Sequence, residues 1–477
     1  TDMSAPHKPA MKIGLFSALT ATALLAGCAV GPDYQRPSST LPEQYSQAEA
    51  PAAARAEAPV NPEWWMLFGD ASLNALVAQA LDANQDLQAA IARLEAADAY
   101  AREINSAYYP TVNLDAASSR LGTSGTTYNG QKMGGAVYNN RRAALSLSYE
   151  IDLWGRIRRM NEAAGADALA SRFASDSVRL TLIGQVASEY LALRSHDAEV
   201  AVSQETVNSR QETLRIVKAR LDAGSASALE LAQAENSLAA AQSQLAQLKR
   251  LRALSESQIG LLTGQPGLQI AANLTPLPLP PVPPPGLPST LLEARPDVRQ
   301  AEEKLVAANA RIGVAKAAYF PAISLTGTYG SESMALSNLF TGPAGIWSAA
   351  LGLTMPIFDA GRTGARVDQA SAGQKEMLAN YRKTMQTAFK EVNDALVSLR
   401  ELADEETANI AQLDSARRSL KLSQARYEAG YVGFLEVLDA QRTTNIAQLT
   451  YLNSRKNRLN AAVDLFKALG GGWREDA

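Results

Sequence analysis

Two long stretches of this 477-residue chain are copies of one another. Asp86 to Ala99 (DLQAAIARLEAADA) returns as Asp297 to Ala310 (DVRQAEEKLVAANA), and Ala107-Tyr108-Tyr109-Pro110 returns as Ala318-Tyr319-Phe320-Pro321, both at an offset of 211. Leu147, Ile151, Gly155 and Arg156 return as Leu353, Ile357, Gly361 and Arg362 at an offset of 206. The same offset carries Arg220, Ala223, Gly224, Leu229 and Glu230 onto Arg426, Ala429, Gly430, Leu435 and Glu436. The offset falls by five between the second and third motifs, so the first copy has the longer loop there. A period of roughly 200 residues is far too long for a solenoid, so one large unit is built twice. A Pro-rich run, Thr275 to Thr290 (TPLPLPPVPPPGLPST), separates the copies as an extended spacer.

Within a copy the hydrophobic period changes twice. Asn74 to Ala107 is Ala-rich with apolar residues at helical spacing, and Pro110 stops it. Then Val112, Leu114 and Ala116 alternate with Asn113, Asp115 and Ala117. After a Gly/Ser/Asn-rich loop (about 122 to 140), Leu145, Leu147, Tyr149, Ile151 and Leu153 alternate with Ser146, Ser148, Glu150 and Asp152. The second copy repeats this with Ile323 and Leu325 on one strand. Trp347, Ala349, Leu351, Leu353, Met355 and Ile357 form the other, across a loop at about 331 to 345. About ten residues of such alternation suit a tilted transmembrane β-strand. Tyr108, Tyr109, Trp154, Tyr319, Phe320 and Phe358 gather at the strand ends nearest the helices, where aromatics sit at headgroup level.

A long helix follows each hairpin, about Arg156 to Leu221 and Thr363 to Tyr427, on the order of 100 Å each. Val186, Leu193, Val200, Val207, Leu214 and Leu221 stand seven apart; Val392, Leu399, Leu413, Leu420 and Tyr427 keep that register, interrupted at Glu406. A seven-residue period predicts left-handed supercoiling. Gly224 and Gly430 permit tight reversals, and shorter helices run back over about Ala228 to Leu262 and Phe434 to Leu469.

Four strands with one greasy face cannot stand alone in lipid, because their edge N–H and C=O groups would go unpaired at several kcal/mol each. Two, three or four chains would close the sheet at 8, 12 or 16 strands.

Composition excludes much else. A net charge of −3 with scattered Lys and Arg offers no nucleic-acid face, and two histidines (His7, His196) with one cysteine (Cys28) leave no disulfide, Cys/His metal site or Cys–His pair. No GxxxxGK[ST] loop is present, and no cofactor, metal or enzymatic activity is expected. His196 reads as a solvated residue on a polar helix face. The one cysteine closes a leader: Met11-Lys12 opens it, Ile13 to Ala26 are apolar, and Leu25-Ala26-Gly27-Cys28 ends it. The start is expected at Met11 or Met3.

That ending resembles a bacterial lipobox, which makes Cys28 the lipidated N-terminus. Together with Gly31-Pro32-Asp33-Tyr34-Gln35-Arg36-Pro37, Glu63-Trp64-Trp65, Arg295-Pro296-Asp297, Tyr319-Phe320-Pro321, Leu438-Asp439-Ala440-Gln441-Arg442 and Ala468-Leu469-Gly470-Gly471-Gly472-Trp473, it resembles the TolC-like outer membrane factors. The nearest branch is the lipoprotein components of RND-type tripartite efflux systems. The resemblance implies a mixed α/β membrane protein. In it a trimeric 12-stranded transmembrane β-barrel, four strands per chain, continues into a long α-helical coiled-coil periplasmic barrel. The expected organisation is a signal peptide at 11–27, an anchored extended segment at 28–72 and repeat one at 73–272 with its hairpin at 111–155. A Pro-rich equatorial linker at 273–296, repeat two at 297–470 with its hairpin at 322–359, and a tail at 471–477 complete it.

The resemblance further implies an outer-membrane exit duct for drugs or small amphipathic molecules, a homotrimer working with a periplasmic adaptor and an inner-membrane RND pump. It places a periplasmic gate at Gly430 to Arg442, with Leu435 as apolar constriction, Glu436 and Asp439 as acidic rings and Arg442 as a tether between helices. Copy one has Leu229, Glu230 and Gln233 there, one acid fewer. The competing explanation is that Glu436 and Asp439 simply favour a helix N-terminus. The turns at Gly224 and Gly430 are the expected adaptor contacts. Alternatives are an outlet for heavy metals or secreted protein, and, from another class, a periplasmic lipoprotein adaptor, which leaves the four strands unexplained.

Overall fold

The two copies fold into elements of matching length. The computed structural model describes residues 29–38, 42, 62–126, 135–281 and 295–472; Cys28 and the leader before it, and most of the Pro-rich spacer, lie outside the described residues. The elements in order are α1 (Ala71–Ala83), α2 (Gln85–Asn105), β1 (Thr111–Gly122), β2 (Val137–Ile151), α3 (Arg156–Asp222) and α4 (Ala228–Leu262), then α5 (Pro296–Ala317), β3 (Ala322–Ser333), β4 (Gly345–Thr354), α6 (Arg362–Glu428) and α7 (Phe434–Ala468). The long helices α3 and α6 have 67 residues each, and the returning helices α4 and α7 have 35 each. No helix among the described residues is long and apolar enough to cross a membrane.

Two expected elements need correction. The helix expected from Asn74 to Ala107 is broken at Asn84, whose ψ of 127° is extended. The Asn84 carboxamide oxygen accepts from Leu87 N at 3.0 Å, capping α2, and its nitrogen donates to Leu262 O at 3.0 Å. The last strand stops at Thr354, so Met355 and Ile357 lie past it; Pro356 has no N–H for the ladder.

The chain divides into two compact units. Among the described residues, the first comprises those within 29–37, Glu95–Ala170 and Ala301–Tyr381. Its sheet is antiparallel in the order β1-β2-β3-β4, leaving β1 and β4 as edges. Residues paired across an antiparallel ladder share a face. One row therefore reads Val112, Leu147, Gly327, Ala349, and the next Leu114, Leu145, Tyr329, Trp347. On the opposite face one row reads Asn113, Ser146, Thr328 and the next Thr111, Ser148, Thr326. The apolar face is bare: Leu114 is 73% and Trp347 79% exposed.

Residues 29–37 are strapped onto this unit. Val30 N donates to Trp154 O at 3.0 Å, Asn309 Nδ2 to Pro32 O at 2.8 Å, and Arg159 pairs with Asp33 at 2.6 Å. Arg36 and the Tyr34 hydroxyl both reach Glu302. Gly31, at φ +117°, lies so close to Gly313 that a Cβ would meet its Cα at 2.5 Å. At the strand ends Trp154 stacks on Phe320 at 4.7 Å and donates to Pro321 O at 2.8 Å.

Among the described residues, the second unit comprises those within 38–94, Ser171–Gln300 and 382–472. Distant motifs meet in its core. Trp64 is fully buried and stacks on Phe466 at 5.3 Å, while Arg295 donates to Ala468 O at 2.8 Å and pairs with Asp297 and Glu391. The heptad residues of α3 from Val186 to Leu221 are all buried or half-buried. Val207 packs on Ala241 and Leu245 of α4, and Leu413 and Ala416 of α6 pack on Ala447 of α7. The interruption at Glu406 is internal: its carboxylate is buried and holds Arg455 at 2.6 Å and Arg458 at 2.9 Å. His196 departs from the solvated position expected of it. It is 9% exposed, with its Nδ1 2.9 Å from Glu199, because the surrounding polar side chains (Ser195, Asp197, Glu199) are buried with it.

Candidate functional site

The ends of the two helical hairpins carry the residues singled out by sequence. Each long helix terminates on a left-handed glycine, Gly224 at φ +70° and Gly430 at φ +77°. The residue after each glycine donates back five positions, Ser225 N to Arg220 O at 2.7 Å and Tyr431 N to Arg426 O at 2.9 Å. This is the Schellman arrangement, and it leaves both turns exposed.

The copies then diverge. In copy one Ser227 caps α4 and Glu230 answers it, with Ser227 N donating to Glu230 Oε2 at 2.7 Å and Glu230 N to Ser227 Oγ at 3.2 Å. Glu230 is thus consumed by a capping box. In copy two Gly433 stands where Ser227 does, no side chain caps α7, and Glu436 instead lies 3.4 Å from Arg426 of α6. Asp439 accepts from Arg442 at 2.8 Å, one turn along the same helix. At this end of the second hairpin, therefore, Arg426–Glu436 bridges the two helices, whereas Arg442 pairs along its own helix. Both ion pairs are largely exposed, a setting in which each contributes only about 0–1 kcal/mol. Leu435 is exposed beside them.

Two residues complete the site, one read in the sequence only as an apolar heptad position and one outside the heptads. Tyr427 stands where copy one has Leu221, and its hydroxyl accepts from Arg220 Nη1 at 2.6 Å, with the guanidinium 5.3 Å from the ring centre. Its ring also packs on Phe434, in a cluster with Val217 and Ala234. Arg210 stands where copy two has Ala416. It is 7% exposed, makes no ion pair among the described residues, and burial pushes its pKa down. It lines a cavity of about 590 Å³ between α3, α4 and α7, in which Asp439 is the one carboxylate. Asn445 spans the same cavity, accepting from Thr206 at 3.2 Å and donating to Gln244 at 2.9 Å. In both cases the signal present in the sequence was the break in repeat symmetry.

This arrangement has weak ion pairs, a buried cation and apolar side chains, and no nucleophile beside a base. Among the described residues no cluster of His, Cys, Asp or Glu could hold a metal. It can hold helices together reversibly, but it offers no group chemistry.

Comparison with known proteins gives the arrangement its context. The chain matches the family described as Outer membrane efflux protein over residues 76–265 and 287–471. It is 36% identical over 474 residues to the outer membrane protein OprJ of Pseudomonas aeruginosa, covering 98% of this chain and 97% of that one. It is 34% identical over 451 residues to the cation efflux system protein CusC of Escherichia coli K12, covering 94% and 97%. The crystal structure of the Campylobacter jejuni CmeC outer membrane channel superposes with a TM-score of 0.89 at 28% identity, covering 94% of this chain and 96% of that one. The open sheet is thus one third of a trimeric, 12-stranded transmembrane barrel. The chain belongs to the outer membrane efflux protein family, and is a non-enzymatic exit duct of the outer membrane.

Proposed function

We propose that this duct is the outlet of an RND-type tripartite pump, conducting drugs and small amphipathic molecules passively from a periplasmic assembly to the exterior. The observation that carries the reading is the pairing of a four-stranded sheet, apolar on one face and open at both edges, with coiled hairpins that end in weak, breakable ties. The gate lies at Gly430 to Arg442, with Leu435 as constriction, Glu436 and Asp439 as acids and Arg442 restraining Asp439. Three-fold symmetry would bring like carboxylates together, favouring cations and making the closed ring easy to release.

The anchor is a lipid on Cys28. Ala29, its covalent neighbour, lies against Gly155 at the strand ends, where Trp154 and Phe320 stack. An acyl chain attached there would enter the same leaflet as the barrel's inner rim. The adaptor binds the exposed turns at Gly224 and Gly430, flanked by the exposed Leu229 and Tyr431.

Deleting the gene and measuring sensitivity to a panel of dyes, detergents, antibiotics and metal salts tests the cargo. Hypersensitivity to several amphipathic drugs is the expected result. Hypersensitivity to metal salts alone would replace this reading with a cation outlet, the second reading, which the likeness to CusC supports.

A further inference from the structure

The apolar face of the sheet ends abruptly, and what stands beyond it is charged. On β2 the face runs Ile151, Tyr149, Leu147, Leu145, Ala143 and then Arg141. On β1 it runs Val112, Leu114, Ala116, Ser118 and then Arg120. From Ile151 to Ala143 is about 27 Å along a strand at 3.4 Å per residue. At the usual tilt of about 40° this stands about 20 Å high, close to the apolar band of an outer-membrane barrel. The helices lie on the periplasmic side, so Arg120 and Arg141 stand at the outer headgroup level.

The register sets their separation. Arg120 pairs with Asn139 and Arg141 with Ser118, making the two arginines diagonal neighbours on one face, about 7–8 Å apart at the backbone. Arg141 is held by donating to Met334 O at 2.6 Å, and its other partner across the ladder is Ser333. The outward positions around them, Ser118, Asn139, Ser331 and Ser333, include no carboxylate. The inward face one residue away is balanced: Arg142 lies 4.0 Å from Glu332, which also accepts from Asn140 at 2.9 Å. Among the described residues, charge is thus balanced on the water-filled side and left without a carboxylate on the lipid side.

We propose that Arg120 and Arg141 form a clamp for the phosphate of a phosphorylated lipid of the outer leaflet, with Ser118 and Ser333 as supporting hydroxyls. Two guanidinia at this spacing match a phosphomonoester, which takes several charge-assisted hydrogen bonds at once. The second hairpin has Ser331 and Gly345 at the corresponding level and would make no such clamp, so each chain holds one headgroup. The inference depends on the outer-membrane placement of the sheet and is independent of the gate.

The test is native mass spectrometry of the purified trimer with added bisphosphorylated lipid A, or the same lipid with its phosphates removed. The wild type is expected to retain the phosphorylated lipid at least about tenfold better. Arg120→Gln with Arg141→Gln should abolish that preference, and the inward control Arg142→Gln should keep it. Equal retention of the two lipids by the wild type overturns the proposal without reference to any variant. So does an unchanged preference in the double variant, or displacement of bound lipid by inorganic phosphate.

Discussion

Arg220 and Tyr427 join the two helical hairpins through a single hydrogen bond, 2.6 Å from guanidinium to hydroxyl, with the cation also lying over the ring. The ring is further seated against Phe434, at the start of the helix that carries Glu436 and Asp439. Tyr427→Phe keeps the packing and removes the tie. Losing about 1 kcal/mol of closed-state stabilisation shifts an open–closed equilibrium roughly fivefold. Planar-bilayer recordings of Tyr427→Phe should show a higher open probability with unchanged trimer stability. An unaltered open probability would remove this contact from the gate.

Asp439 and Arg442 should separate gating from stability. The pair is exposed, so replacing both by alanine should leave the heat-resistance of the trimer within experimental error. Single-channel conductance should rise and cation selectivity should fall, because the proposed acidic ring loses its Asp439 carboxylates. Unchanged conductance and selectivity would refute the assignment.

Glu406 predicts the opposite balance. Its carboxylate is buried between Arg455 and Arg458, so Glu406→Ala leaves two guanidinia without their shared acid. The expected loss is about 3–5 kcal/mol of stability, seen as a lower helix-melting temperature by circular dichroism. Conductance of the molecules that still fold should be normal.

Gly31 is a third kind of position. Its positive φ and its contact with Gly313 leave no room for a methyl group. Gly31→Ala should cost about 1–3 kcal/mol and loosen the strap of residues 29–37, making it sensitive to protease while the sheet remains intact. The same substitution at Gly433, which has open space and no positive φ, should be tolerated.

Much of the architecture was legible because it repeats and is periodic. The 206-residue offset reappears as helices of identical length, α3 with α6 and α4 with α7. The alternation of Leu145, Leu147, Tyr149 and Ile151 reappears as one face of β2. Periodicity reports which face of an element is apolar, but says nothing of partners across space. It missed the break at Asn84, which depends on Leu262 O, 178 residues away in sequence. It also read Tyr427 as one more apolar heptad position, overlooking its hydroxyl.

The chain's residue order by itself determined the duplication, the four one-sided strands, the coiled hairpins and the glycine turns, because each follows from spacing along the backbone. Only the tertiary structure decided how polar residues are used. The same glutamate is a helix cap at Glu230 and a link between helices at Glu436, His196 is buried, and Arg210, without an ion pair among the described residues, lines a cavity with Asp439. A charge's role depends on its burial and its nearest opposite charge, and both are set by elements distant in sequence.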